Sequence, residues 1–198
     1  PRTVTISGTN IFERPSYTDR ELFTQTGSDT PNSNWNGSAT KVDGIIGSAF
    51  SGNGSTAYID LSSTLPDVSS NFIGVSCFFK TSNPSKVQTI FWIMQDSNNA
   101  RILDLTLDSA GLAITCTNGS YTAWSKTQKF DFTPQSGVWY HVFGYIDLNN
   151  STNRAYIWVD GVEGTNQLFN NVQSSFGTPE LMFVGTRENQ YETRTDYF

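Results

Sequence analysis

Histidine, cysteine and methionine are scarce in this chain, which has one His, two Cys and two Met among 198 residues. Basic residues are also few, with 12 Lys and Arg against 18 Asp and Glu, so the formal net charge is −6. This charge argues against a nucleic-acid partner, because a phosphate backbone binds to a basic surface. No stretch is apolar over enough residues to insert into a membrane. The acidic balance favours solubility and is compatible with a bound cation.

The single histidine limits the catalytic chemistry that the chain can perform. A nucleophilic Ser or Cys needs a neighbouring base, and His141 lies in a strand-like run of alternating aromatic residues, where we interpret it as structural. Glycoside hydrolysis needs two carboxylates on one face, about 5 Å apart in retaining enzymes. The Glu residues here stand isolated along the chain. We therefore predict a protein that is not an enzyme, with an atypical polysaccharide-degrading enzyme as an alternative.

The two cysteines, Cys77 and Cys116, both lie in strand-like runs. One interpretation is a pair of small buried core residues, which is the usual place of a free thiol. The other is a disulfide between neighbouring strands, which requires a demanding geometry. Their spacing matches no zinc-binding pattern. Both interpretations remain open at the level of the sequence.

Aromatic residues are abundant, at 14% of the chain, and there are 16 glycines along with many Ser, Thr and Asn residues. This composition favours strands and turns over helices. The length fits one domain with a sizeable core. We predict a single all-β domain over residues 1–198, an antiparallel two-sheet β-sandwich or jelly roll, with residues 1–40 as an N-terminal strand and loops.

Runs of five to nine residues with strand-like patterns alternate with turn clusters along most of the chain. Outside the hairpin described next, the predicted strands are residues 3–7, 22–26, 44–50, 56–61, 72–81, 87–94, 101–107, 112–117, 121–125 and 181–186.

The clearest local pattern is a hairpin between Trp139 and Gly161. In its first strand Trp139, His141, Phe143 and Tyr145 alternate with apolar residues, so their side chains share one face. The second strand ends at Asp160-Gly161, a pair that adopts the positive φ angles of a tight hairpin turn. We expect this turn to lead back into the sheet.

Several segments, taken in their order, resemble the concanavalin A-like lectin/glucanase superfamily, most closely its laminin-G-like and pentraxin-like branches. The segments that carry the resemblance are 47–52 (GSAFSG), 73–80 (IGVSCFFK), 137–142 (GVWYHV), 156–161 (YIWVDG) and 181–185 (LMFVG). The resemblance implies two packed antiparallel sheets of about six or seven strands each.

That superfamily closes with a further strand, and this chain ends at Tyr197-Phe198, about where the strand would begin. An empty strand position would expose backbone groups and promote aggregation. We therefore expect the strand to lie in polypeptide beyond residue 198, or its place to be taken by residues 3–7 or by a partner chain.

The resemblance also implies a calcium site at one rim of the sandwich, built from loop oxygen atoms. The two matching loops are 95–99 and 187–190. In the second loop Arg187 would repel a cation, and solvated turns are the alternative interpretation of both. The candidate ligands are Asp96, Asn98, Asn99, Glu188 and Asn189.

Aromatic residues near turns are candidates for stacking on sugar rings. These are Trp124, Tyr121, Tyr191 and Trp35, although Trp124 could equally belong to the core. We predict a recognition or adhesion domain for a glycan or cell-surface polymer, in a larger extracellular or phage virion protein. The alternative is a structural domain that assembles with other chains of a virion decoration, fibre or tail and binds no ligand.

Overall fold

The computed structural model of the protein describes residues 35–45, 47–95, 100–117, 127–150, 154–165, 175–189 and 192–195. Apart from one 3-10 turn at Ser62–Thr64, the regular structure of these residues is β-strand, and all the strand pairs are antiparallel. The predicted all-β, antiparallel fold class is therefore confirmed. In chain order, the strands of the described residues are β1 (Trp35–Asn36), β2 (Thr40–Asp43), β3 (Ser48–Ser51), β4 (Tyr58–Asp60), β5 (Phe72–Phe79), β6 (Gln88–Gln95), β7 (Ala100–Asp108), β8 (Gly111–Thr115), β9 (Thr127–Phe130), β10 (Tyr140–Asp147), β11 (Ala155–Val159), β12 (Val162–Glu163), β13 (Pro179–Val184), β14 (Arg187–Asn189) and β15 (Glu192–Thr195).

The strands form two main sheets. The larger sheet has seven strands in the order β1-β4-β13-β6-β7-β8-β9, and the smaller has the order β12-β11-β10-β5. The main core lies between them, and its most deeply buried members include Val142, Ile146 and Ile157 from the smaller sheet and Leu105 and Ile114 from the larger. A second buried cluster consists of Tyr58, Trp92, Met94 and Phe183.

The predicted hairpin is present as β10, β11 and the turn into β12. Tyr140–Asp147 pairs along its whole length with β5 on one side and through residues 142–146 with β11 on the other. Asp160 and Gly161 have φ angles of 48° and 80°, which agrees with the tight turn expected of this pair. Alternation along β10 buries Val142, Gly144 and Ile146 and turns Phe143 and Tyr145 outward.

The smaller sheet has four strands among the described residues, fewer than the six or seven that the resemblance implies. Strands β2 and β3 pair with each other and not with β5, and a groove of about 820 Å³ is lined by residues of both β3 and β5. Within the described part of the chain, β5 therefore has a neighbour on one edge alone, strand β10.

Several details of the strand prediction need correction. The predicted strand 44–50 begins only at Ser48, as β3, and the preceding strand β2 was not predicted. Residues 187–190 are predicted as a loop, but Arg187–Asn189 forms β14 and pairs with β15. This two-stranded ribbon is polar, so it lacks the apolar alternation by which a sequence reveals a strand. Strand β9 at Thr127–Phe130 was likewise not predicted. The predicted strands at 3–7, 22–26 and 121–125 lie outside the described residues.

Both cysteines are free thiols. Cys116 is completely buried in the main core, and Cys77 on β5 packs against the core and is partly exposed. Burial raises the pKa of both thiols to about 12. This geometry agrees with the core interpretation and not with a disulfide. The described residues contain no helix of the length and apolarity needed to span a membrane.

Candidate functional site

The outer surface of the smaller sheet carries a continuous group of aromatic rings, which we call the aromatic face. Its members come from three adjacent strands, because the residues of β5, β10 and β11 that alternate with the buried ones point outward. They are Phe72 on β5, Phe143 and Tyr145 on β10, and Tyr156 and Trp158 on β11.

Tyr145 lies at the centre of this group. Its ring centroid is 4.7 Å from that of Tyr156, 5.2 Å from that of Phe72 and 5.8 Å from that of Trp158. Phe143 and Trp158 are 5.4 Å apart with planes inclined by 28°. The strand register explains these contacts, since Phe143 lies opposite Trp158, and Tyr145 opposite Tyr156.

The aromatic face is open to solvent. Phe72 is 46% exposed and Phe143 37% exposed, while the other three rings are partly buried. Gly74 faces Tyr145 across the β5–β10 pair and carries no side chain to cover it. A Cβ atom at Gly74 would lie 3.3 Å from Tyr145 Cβ and 3.9 Å from Phe143 Cε2. Contiguous exposed apolar surface of this kind marks an interaction site in many soluble proteins.

Polar groups border the rings on the same side of the sheet. Ser76 Oγ and His141 Nε2 are 2.9 Å apart, next to the exposed ring of Phe78. Asp147 lies opposite Phe72, and Glu163 lies opposite Trp158 in the strand register. Hydrogen-bonding groups at the edge of an apolar platform are the usual arrangement of a small-molecule or sugar site.

The electrostatic surroundings of the aromatic face are negative. The pKa of the Tyr145 hydroxyl is raised, first by burial and then by the proximity of Tyr156, Asp147 and Glu163. The hydroxyl therefore remains a protonated donor at neutral pH. The two carboxylates make this surface more favourable for neutral or cationic ligands than for anionic ones.

The Ser76–His141 contact has the distance of a nucleophile and its base. A Ser–His pair usually needs a third group that orients the imidazole. Among the described residues, the ring of His141 has no hydrogen bond to a carboxylate, and Asp160 Oδ1 accepts its hydrogen bond from the backbone N–H of His141 instead. The arrangement resembles a polar contact within a sheet more than a catalytic centre.

Of the predicted sugar-binding residues, Trp35 is described. It lies on β1 in the larger sheet, is partly buried and packs edge-on against Phe50 with centroids 5.8 Å apart. The structure therefore does not bring Trp35 to the aromatic face. Tyr121, Trp124 and Tyr191 lie outside the described residues, and their role stays a prediction.

The predicted calcium ligands are equally untested. Asp96, Asn98 and Asn99 lie outside the described residues, and the backbone of Glu188 and Asn189 belongs to β14. Within the part of the chain that is described, no group of three or more His, Cys, Asp or Glu side chains is placed to hold a metal ion.

Sequence reasoning did not identify the aromatic face as a site. The signal was present, because Phe143 and Tyr145 alternate on β10, and Tyr156 and Trp158 alternate on β11. Alternation alone shows that these residues share a face. It does not show that this is the face turned away from the core.

No protein-family model and no curated protein sequence matches the chain. Solved structures with a similar fold exist at low sequence identity. Domain 4 of AbnA, a GH43 extracellular arabinanase from Geobacillus stearothermophilus solved in complex with arabinotriose, is 18% identical, with a TM-score of 0.54, over 75% of this chain and 66% of that chain.

Two further structures are similar. Domains LG4-5 of the mouse laminin alpha1 chain are 16% identical, with a TM-score of 0.51, over 69% of this chain and 34% of that chain. The structure of NanB plus Optactamide is 14% identical, with a TM-score of 0.56, over 71% of this chain and 22% of that chain. The chain thus spans less than two thirds of each of these three chains. At these identities the likeness concerns the fold alone, which is an antiparallel β-sandwich.

Proposed function

We propose that this chain is a non-enzymatic recognition domain that binds a glycan through the aromatic face. The observation that carries the proposal is the group of five contacting rings on β5, β10 and β11, open to solvent and bordered by Ser76, His141, Asp147 and Glu163. We also propose that the domain belongs to the concanavalin A-like lectin/glucanase superfamily, in its laminin-G-like or pentraxin-like branch.

The chemistry of the aromatic face suits sugars. One side of a pyranose or furanose ring presents C–H groups that pack on aromatic rings, while its hydroxyls need polar partners at the border. The rings span three strands, and neighbouring strands lie about 4.8 Å apart. Three strands therefore span about 10 Å, which is wide enough for more than one sugar unit of an oligosaccharide or polysaccharide. The carboxylates of Asp147 and Glu163 favour a neutral polymer over a sulfated or uronic one.

The similar fold of an arabinanase domain that was solved with arabinotriose supports this choice of ligand class. Calcium held by the segments 95–99 and 187–190 remains part of the proposal, as a separate contribution to binding. The setting we propose is an adhesion domain in a larger extracellular or phage virion protein. Its Ser, Thr and Asn-rich composition and low Lys, His and Met content support that setting.

Binding to an array of neutral and acidic polysaccharides, followed by calorimetry on the best ligand, tests the proposal. We expect Trp158→Ala to weaken binding by about tenfold or more, a loss of roughly 1.4 kcal/mol. Val162→Ala is the matched control, since Val162 is 61% exposed on the neighbouring strand β12 and has no part in the aromatic face. Equal affinity of the Trp158→Ala variant and the unchanged protein would contradict the proposed site.

A chelator separates the two proposed contributions. If EDTA abolishes binding while Trp158→Ala preserves it, the ligand binds at the segments 95–99 and 187–190 and not at the aromatic face. If no glycan binds and the chain assembles with other proteins, the structural alternative is favoured.

Analysis of the polysaccharide for shorter products tests the catalytic alternative. The Ser76–His141 contact is the observation that favours it. Product formation that disappears in a Ser76→Ala variant would show an enzyme and would contradict our proposal.

A further inference from the structure

The aromatic face has a gap on β5, which we call the notch. The outward-pointing residues of this strand are Phe72, Gly74, Ser76 and Phe78, and all four are exposed. Gly74 and Ser76 are small, while a phenyl ring follows on each side of them. Successive outward residues lie about 6.7 Å apart, so the Cα atoms of Phe72 and Phe78 are roughly 20 Å apart. The notch is the space above Gly74 and Ser76 between these two rings.

Strand β10 forms one wall of the notch. In the register of the two strands Tyr145 lies opposite Gly74, and Phe143 lies opposite Ser76. The distances from a Cβ atom at Gly74, 3.3 Å to Tyr145 Cβ and 3.9 Å to Phe143 Cε2, show that both residues border this space. Among the described strands β5 has no neighbour on its other side, so no described strand forms a second wall.

Gly74 is an unusual residue for the interior of an eight-residue strand. Glycine weakens a strand, and there it often marks a bulge, a bend or a place where another molecule approaches the backbone. The pairing of β5 with β10 has no register shift, which excludes a bulge. Gly74 also lacks the positive φ angle of a turn glycine. Close approach of a ligand is therefore the interpretation that the geometry favours.

The Ser76 end of the notch provides hydrogen-bonding groups. Ser76 Oγ and His141 Nε2 are 2.9 Å apart at an exposed position. A hydroxyl has one proton and two lone pairs, and an imidazole has a second ring nitrogen, so their mutual bond leaves further donors and acceptors for a ligand. The ring of Phe78 lies 5.0 Å from that of His141 and limits the notch at this end.

We propose that the notch is the subsite by which the aromatic face selects its glycan, and that it seats one neutral sugar unit. The C–H groups of that unit pack on Tyr145 and on the backbone of Gly74, and its hydroxyls bond to Ser76 and His141. The inference rests on the proposed function, since neighbouring units of the same glycan lie on the rings of β11.

The charge of the surroundings supports a neutral unit. The residues that form the floor and the β10 wall of the notch are uncharged, namely Gly74, Ser76, Phe143 and Tyr145. Asp147 lies on β10 two residues after Tyr145, on the same face of the strand. Its carboxylate repels an acidic sugar and leaves a neutral one unaffected.

Calorimetry on the full chain with linear hexasaccharides of glucose, mannose, galactose or xylose tests the inference. We expect Gly74→Val to weaken binding of the best hexasaccharide at least about tenfold, because the branched side chain fills the notch and is compatible with a strand. Ser76→Ala should weaken it about three- to tenfold through loss of a hydrogen bond. Ser82→Ala is the matched control, since Ser82 is exposed beyond the end of β5.

Two further measurements separate selection from packing. Thermal unfolding of Gly74→Val shows whether a Cβ atom 3.2 Å from Gly144 O disturbs the strand pair. If its midpoint falls strongly, Ser76→Ala decides the outcome. The glucose, mannose and galactose oligomers differ in the directions of their hydroxyls, so Ser76→Ala should reduce the ratio of their affinities as well as the highest affinity.

Failure of the inference is distinguishable from failure of the proposed function. If Trp158→Ala weakens binding while folded Gly74→Val and Ser76→Ala bind as the unchanged protein does, the aromatic face binds the glycan and the notch is not its subsite. If all three variants keep full affinity, or if no hexasaccharide binds to the unchanged protein, the proposed function is wrong and the inference with it.

Discussion

Tyr145 packs on Tyr156 with ring centroids 4.7 Å apart and planes inclined by 26°. The two residues are directly opposite each other on β10 and β11. Through Tyr145 the rings of three strands become one connected surface, so this residue contributes to stability as well as to the proposed binding surface.

Replacement of Tyr145 by Ala should lower the free energy of unfolding by about 1–2 kcal/mol, because several aromatic contacts of roughly 0.5–1.5 kcal/mol each are lost from a partly exposed site. Urea unfolding measures the change. Tyr145→Phe is the control and should stay within about 0.5 kcal/mol of the unchanged protein, since the ring is retained. An equal loss in both variants would show that the hydroxyl and not the ring is responsible.

Asp160 supports the turn between β11 and β12 in two ways. Its Oδ1 accepts a hydrogen bond of 2.8 Å from the N–H of His141, and its φ angle is 48°. We expect Asp160→Ala to reduce the free energy of unfolding by about 1–2 kcal/mol, because alanine tolerates a positive φ poorly and makes no such bond. Asp160→Asn keeps both properties and should be close to neutral. Thermal unfolding measures the difference. Equal midpoints for Asp160→Ala and Asp160→Asn would contradict this role.

Asp104 is a nearly buried carboxylate on β7, with a side chain 2% exposed. Arg101 Nη1 donates to its Oδ2 at 2.9 Å, and the Thr106 hydroxyl donates to its Oδ1. We expect Asp104→Ala to destabilise the fold by about 3 kcal/mol, since it leaves the Arg101 charge without this carboxylate. Chemical unfolding of both single variants and of the double variant Arg101→Ala, Asp104→Ala gives the coupling free energy between the two side chains. Purely additive effects would show that the pair does not interact.

The buried thiol of Cys116 should make stability depend on alkaline pH. Burial raises its pKa from 9.0 to about 12, with an opposing effect from Arg154. Above pH 9 the thiol ionises in the unfolded chain but stays protonated in the folded one, so rising pH stabilises the unfolded state. The contribution of Cys116 to the free energy of unfolding should thus fall between pH 9 and 12, by about 1.4 kcal/mol per pH unit.

Denaturant unfolding of the unchanged protein and of Cys116→Ala across that pH range isolates this contribution. The quantity compared is the slope of the free energy of unfolding against pH. Cys77 titrates in both proteins, so the difference between the two slopes is due to Cys116. The comparison uses slopes, because removal of the buried side chain also changes stability at every pH. Parallel curves would contradict the prediction.

Much of the fold could be predicted from local patterns. The strands around Ile73, Leu105 and Val142 alternate or are continuously apolar, and each was predicted within a few residues of its observed bounds. The Asp160-Gly161 turn was equally predictable, because few residue pairs adopt two positive φ angles in succession. The ribbon of β14 and β15 was not predicted, because its residues are polar and give no apolar periodicity in the sequence.

The candidate site was much less predictable. The sequence shows that Phe143 and Tyr145 share a face and that Val142 and Ile146 share the other, but both sets are large and apolar enough to form a core. The choice between them depends on the packing of the smaller sheet against Leu105 and Ile114 of the larger. That packing brings distant parts of the chain together. The alternation of side chains along a single strand does not show which of its faces will pack against them.

The sequence by itself therefore determined the class of the fold, the positions of most strands and the turn residues, since these follow from side-chain periodicity and backbone preference. The tertiary structure alone decided which rings meet solvent, that Ser76 contacts His141, and that the edge of β5 borders a groove. Each of these depends on strand order and register, which are set when distant strands bury their apolar faces together.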